Sequence, residues 1–295
     1  MNGLRTLLGE VVDYAGLFPP ASLDMAAAVR NYASYKKSTD EWMLGNFIVP
    51  VSRLDEFLSA AQGSSLHRAP WHLSVLVGDL EKENAVIRDF VSRNDPATFR
   101  ISSLETKAAS NAEIERIARY QFGEIVVYVE IPIQTDPRNL LSDLASAGMH
   151  AKVRTGGITP DMFPATADLA RFIIACVKAG VPFKATAGLH HPIRSTYRLT
   201  YAPDSPSGMM FGFLNVFLAG AFARKGMDSN MLMEVLEEGR GDAFRFDDGG
   251  ARWREHQLTM NDLTITRQVA VMSFGSCSFR EPVDELTALG LPGDL

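Results

Sequence analysis

Short β-branched runs alternate with longer amphipathic stretches along almost the whole chain. Candidate strands cover residues 11–15, 44–50, 72–78, 99–103, 125–132, 151–155, 183–187 and 243–247. Helical periodicity fills the intervals at 24–36, 81–93, 112–120, 140–147, 167–179 and 209–224, and a last helix must come from 265–274. A strand followed by a helix, eight times over, predicts a parallel sheet closed on itself. The fold class expected is therefore α/β, a single (β/α)8 TIM-type barrel spanning 1–295 as one domain. No boundary and no sequence-level repeat interrupts it.

Loop lengths orient that barrel. Links from helix into strand are short and carry Gly123, Gly148 and Gly180, as helix C-caps do. Links leaving the strands are longer. The longest, 189–208, contains three prolines, two histidines and two tyrosines. A connection of that length in a compact domain marks a functional loop, here a lid over the strand C-terminal ends where barrel active sites lie.

Composition narrows the partners. The net charge of −6 argues against nucleic acid and anionic membrane surfaces, which need a basic field. The two cysteines, Cys176 and Cys277, lie far apart, so no disulfide framework is expected and a reducing, cytoplasmic setting fits. Residues 1–10 show no secretory h-region, and the longest apolar stretch, 208–223, is short for a membrane span of ~20 residues. That stretch reads as a buried or subunit-facing helix, which keeps a homo-oligomer open.

Phasing each strand with its more apolar set toward the helices points Asp13, Arg100, Ser102, Tyr128, Glu130, Lys152, Arg154, Lys184, Thr186, Arg245 and Asp247 into the barrel. Barrel interiors are usually filled by branched apolar residues. Five cations against three carboxylates imply a small anionic ligand, with Arg154 and Arg245 suited to bidentate binding. The glycines Gly156, Gly157 and Gly188, with Thr155 and Thr186, would turn backbone and hydroxyl groups toward it. The alternative is an ion-pair network that only stabilises the fold.

Lys152 and Lys184 should be lateral neighbours, ~4.8 Å apart across adjacent strands. Their repulsion should lower at least one pKa and free an amine for Schiff-base chemistry, unless each pairs with Glu130 or Asp247. On this reading Lys184→Met folds normally and loses ligand binding.

The segments Lys152-Val-Arg-Thr155-Gly156-Gly157 and Lys184-Ala-Thr-Ala-Gly188-Leu resemble the sixth and seventh strands of the deoxyribose-phosphate aldolase group of class I aldolases. The resemblance implies a lyase in which Lys152 is the Schiff-base nucleophile and Lys184 its electrostatic partner. It covers about forty residues around those two strands. The third strand lacks the interior aspartate that family uses for proton transfer. The eighth ends in Asp247-Asp248-Gly249-Gly250 in place of a neutral phosphate turn, which points away from a sugar phosphate.

A competing arrangement gathers His190, His191, Glu130 and Asp247 around a divalent metal ion, although the spacing matches no metal motif. Otherwise no cofactor is expected. Nucleotide binding has no Gly-x-Gly-x-x-Gly or Walker loop to support it. His190 or His191 also suits general acid–base work, as do Glu130, Asp13 and Asp247. Cys277 reads as packing, since no activating residue is evident beside it.

Overall fold

The computed structural model describes residues 2–62 and 70–291; residues 1, 63–69 and 292–295 of the expected single domain lie outside the described residues. Eight parallel strands close the barrel: β1 (Val12–Tyr14), β2 (Leu44–Pro50), β3 (Trp71–Leu76), β4 (Phe99–Lys107), β5 (Val126–Glu130), β6 (His150–Arg154), β7 (Phe183–Thr186) and β8 (Val271–Ser276). β8 returns beside β1, with Val12 opposite Phe274 and Asp13 opposite Gly275. Helices connect the strands and form the outer layer, so the predicted TIM-type α/β barrel is the observed fold.

The strand faces follow from composition. Val127, Val129, Val153, Phe183 and Ala185 face the helices, where Phe172 packs edge-on against Phe183 at 5.5 Å. The helix Thr166–Ala179 ends at Gly180, whose φ of 65° is the left-handed cap that the short link to β7 demands. The expected helix at 209–224 begins later, at Phe213, and is apolar on all sides. Ten of its twelve residues are buried, which makes it a helix enclosed by the rest of the chain. Asn215, its polar interruption, donates to the carbonyls of Val235 (2.8 Å) and Glu238 (2.9 Å) and accepts from the Arg194 amide (3.0 Å). Among the described residues no helix is long and apolar enough to cross a membrane.

One strand was expected in the wrong place. Phe244–Asp247 is extended, but it pairs antiparallel with Gly250–Trp253, which pairs with His256–Thr259 in a small separate sheet. Asp247-Asp248-Gly249-Gly250 makes the turn, with the Asp247 carboxylate accepting the amides of Gly249 (2.7 Å) and Gly250 (3.1 Å). Arg245 and Asp247 are thus exposed residues of that sheet and do not point into the barrel. The eighth barrel strand comes from the segment read as the last helix: helix Met260–Val269 stops at Ala270, and β8 follows at once.

The loop 189–208 also carries structure. Ser195–Arg198 and Ser207–Met210 form an antiparallel hairpin above the barrel mouth. Tyr197 stacks on His191 with ring centroids 3.5 Å apart.

Candidate active site

The charged interior is an alternating chain of five side chains supplied by five strands. Asp13 on β1 accepts Lys184 Nζ at 2.5 Å, and Lys184 on β7 also donates to Glu105 Oε1 at 2.6 Å. The other oxygen of Glu105, on β4, lies 2.8 Å from Lys152 Nζ on β6. Lys152 in turn stands 3.1 Å from Glu130 Oε2 on β5. The parallel register explains the assembly: Lys152 is opposite Lys184 on one side and Glu130 on the other. The two lysines are therefore lateral neighbours, as expected. Glu105, unforeseen, stands between them.

Glu105 escaped because β4 bends its own phase. Leu73 pairs with Ile101 but Ser74 pairs with Ser103, so the register skips Ser102. Beyond that bulge Ser103 and Glu105 point inward. Arg100, expected inside, is exposed at the strand's start and pairs with Glu124 at 3.1 Å. Ser102 meets His72 Nδ1 at 3.1 Å. The strand was also expected to stop at Ser103, four residues before its actual end at Lys107.

The deep end of this chain is saturated. Asp13 Oδ1 accepts the backbone (2.8 Å) and side-chain (2.9 Å) nitrogens of Asn46, while Oδ2 accepts Lys184 and the Ser273 hydroxyl (2.7 Å). Gly45 is required here, since a Cβ would come within 2.6 Å of Asp13 Oδ1. Ser74 donates to Glu105 Oε1 at 2.6 Å, and the Tyr128 ring lies 5.3 Å from Lys184 Nζ. Burial alone would strip the proton from Lys184, but Asp13 and Glu105 overcome it and hold its pKa above the ordinary lysine value. Glu105 is the mirror case: burial pushes its carboxyl up, and the two ammonium groups bring it far below the ordinary range. The expected loss of a proton through lysine–lysine repulsion therefore fails for Lys184, because an anion separates the pair.

The shallow end is looser. Glu130 is pushed up by burial and brought down by Lys152, Arg154 and Lys107, with a net lowering. Its Oε1 is shared by Arg154 Nε and Lys107 Nζ, each at 3.4 Å, longer than a well-formed charge-assisted bond of about 2.7–2.9 Å. Its Oε2 is buried without an aligned hydrogen bond, despite the ammonium 3.1 Å away. Two rim cations thus share one carboxylate oxygen.

Above this end opens a cavity of about 710 Å³ at the C-terminal mouth of the barrel. Lys152, Glu105, Glu130, Arg154, Lys107 and Thr186 line it, whereas Lys184 and Asp13 lie beneath, with 1% of each side chain exposed. Gly157 and Gly188 also line it. Gly156 is small for packing: a Cβ would meet Phe163 at 2.3 Å. Thr155 is fully buried, its hydroxyl donating to Ala187 O at 2.6 Å, so it ties the ends of β6 and β7 together.

At the β7–β8 corner His190 lines the cavity beside Cys277. Its Nδ1 lies 2.9 Å from Ser276 Oγ, 3.9 Å from Cys277 Sγ and 3.8 Å from Glu281. Burial, with a smaller contribution from His191, lowers the His190 pKa to about 4. Burial raises the Cys277 thiol to about 11, so the pair is a neutral imidazole beside a neutral thiol. Tyr201, from the hairpin, contacts Cys277 Sγ at 3.5 Å. His191 turns away from the cavity, 2.8 Å from Glu285. The four residues considered for a metal are therefore not gathered: Glu130 faces three cations, His191 faces Glu285, and Asp247 belongs to the separate sheet. Among the described residues no group of three or more His, Cys, Asp or Glu side chains is placed to hold a metal ion.

In comparisons with known proteins, no protein-family model and no curated protein sequence matches the chain.

Proposed function

We propose that this barrel is a lyase-like enzyme that acts on a small anionic carbonyl compound through a Schiff base on Lys152. The observation that carries the reading is the division of labour between the paired lysines: Lys184 is sealed beneath the site between two carboxylates, while Lys152 lines the cavity with Glu105 and Glu130 within 3.1 Å. Glu130 Oε2, buried and without an aligned donor, is the acceptor for the ammonium proton. The neutral amine then adds to the carbonyl carbon. The carbonyl oxygen takes up two protons in succession and leaves as water, so one ammonium and one carbonyl give one protonated imine and one water. That cation withdraws electrons from a neighbouring C–C or C–H bond, the chemistry of a lyase. Arg154 and Lys107 hold the substrate's anionic group. Lys184 keeps Glu105 ionised beside the reacting amine, in place of the direct lysine–lysine repulsion first expected.

Borohydride reduction in the presence of a panel of keto acids and aldehydes, followed by peptide mapping, tests this. The expected result is a stable adduct on Lys152 and none on Lys184. An adduct confined to another residue, or none with any carbonyl compound, overturns the reading. The saturated deep half, Asp13–Lys184–Glu105, favours a structural role for those three residues alongside the chemistry above them.

A further inference from the structure

The walls of the cavity differ across the barrel. Its cations come from β4 and β6, and its carboxylates from β4, β5 and Glu83, the last on the helix after β3 and occupied by the amides of Gly78 and Asp79. The opposite arc, at the ends of β1–β3, offers Phe18, Pro20, Ile48, Leu76 and Val77. Leu199 and Met210 of the hairpin meet the same space. Leu76 and Phe18 are only partly buried, so this apolar surface faces the cavity while Ile48, Val77, Leu199 and Met210 are nearly enclosed. A ligand anchored on β6 and large enough to fill the space meets that wall.

A second observation concerns the β7–β8 corner, where barrels commonly hold phosphate. Here the corner carries His190, Cys277, Tyr201 and the Glu281 carboxyl. Burial keeps the first two neutral, and Glu281 is itself raised by burial. A dianion placed there would meet the Glu281 carboxyl, and Arg198, the cation on that rim, is an exposed hairpin residue whose guanidinium donates to the Pro203 carbonyl. The cations that serve the site, Arg154 on β6 and Lys107 on β4, share one carboxylate with Lys152, close to the amine.

We infer that the substrate is an unphosphorylated oxo acid bearing a bulky apolar group: carbonyl at Lys152, carboxylate at Arg154 and Lys107, and the apolar group against the β1–β3 arc. This rests on the Schiff-base reading for the carbonyl, but the two binding contacts stand apart from it. The test therefore uses acids that cannot form an imine. Calorimetric titration of the intact protein with propanoate, 3-phenylpropanoate and 3-phosphonopropanoate should show the phenyl acid binding roughly tenfold or more tighter than propanoate, from buried apolar area. The phosphono acid should bind no tighter than propanoate. Gly275→Ala supplies the control. Its Cβ would sit at the cavity floor at ordinary contact distances, 3.4 Å from Ile48 Cδ1 and 3.6 Å from Thr186 Oγ1. It should fold normally and lose most of the phenyl preference. Equal affinity for the phenyl and parent acids, tightest binding of the phosphono acid, or binding of none overturns the inference. A phenyl preference without any borohydride adduct overturns the Schiff-base reading alone.

Discussion

At the residue scale, the consequential group is Glu105. It converts two repelling ammonium ions into one continuous chain of alternating charge, and so changes what substitution of either lysine does. Lys184→Met was expected to spare the fold. With Lys184 fully buried between Asp13 and Glu105, its removal instead leaves the buried Asp13 carboxylate without a cation and Glu105 with Lys152 alone. A loss of about 3–5 kcal/mol is expected, measured by urea unfolding. Glu105→Gln should cost a similar amount by leaving two ammonium groups facing a neutral amide. If either variant unfolds like the parent, the deep pairs contribute little. The sequence made the two lysine strands legible because β6 and β7 are regular and pair in simple register. It hid Glu105 because a one-residue slip in pairing with β3 exchanges the two faces of β4, and nothing in Ser102-Ser103 distinguishes bulge from regular strand. The one available signal was that alternation continues past Ser103 through Leu104, Glu105 and Thr106.

At the scale of elements, seven barrel strands were visible as apolar runs, whereas a hairpin strand of similar pattern was taken for the eighth. Phe244–Asp247 has the right composition but ends in Asp-Asp-Gly-Gly, a tight-turn sequence, and Gly250 adopts a φ of 140°. The true β8 follows its helix with no glycine or proline between them, so the change of period had no punctuation. The error moved Arg245 and Asp247 into the expected site, adding a cation and a carboxylate that the barrel interior does not contain. The long β7 loop, read as a lid from its length, carries a hairpin of its own. Its hairpin roofs the cavity through Leu199 and Met210 and touches Cys277, just past β8, through Tyr201, whereas Ala202 and Asp204 at its tip are exposed. If it acts as a lid, a reductively trapped adduct should slow protease cleavage at 202–204 several-fold in limited proteolysis. Unchanged cleavage would mean that the hairpin does not respond to occupancy.

At the scale of the whole molecule, buried titratable groups set the acid limit of the fold. His190 titrates at about 4 in the folded protein against 6.5 for the ordinary imidazole, and His150 behaves likewise because burial disfavours its cation. Between those values the unfolded chain binds more protons than the folded one, so stability falls as pH is lowered through that window. His190 alone accounts for at most about 3 kcal/mol of that loss. Glu105 adds a second phase: its folded value lies below 4.5, so its stabilisation is complete above that pH and declines as acid reaches the folded value. Lys184 acts at the other extreme, contributing fully below 10.5 and losing its contribution only as pH rises through its higher folded value. Urea unfolding from pH 7 to 4 should show the decline, and His190→Asn should flatten part of it. A profile flat from pH 7 to 5 would contradict the burial of both imidazoles as neutral groups.

The junction of β1 with β8 has a consequence for biosynthesis. Ser273, whose hydroxyl Asp13 accepts, is synthesised 260 positions after it. The ring cannot close until β8 has been made and released, so the Asp13–Ser273 contact forms only then and bears the loop-closure entropy of a 260-residue separation. Until then the nascent protein is an open sheet with two edges and a solvated row of charges. A ribosome stalled before Val271 would therefore carry a chain rich in native helices and strands but without a finished site.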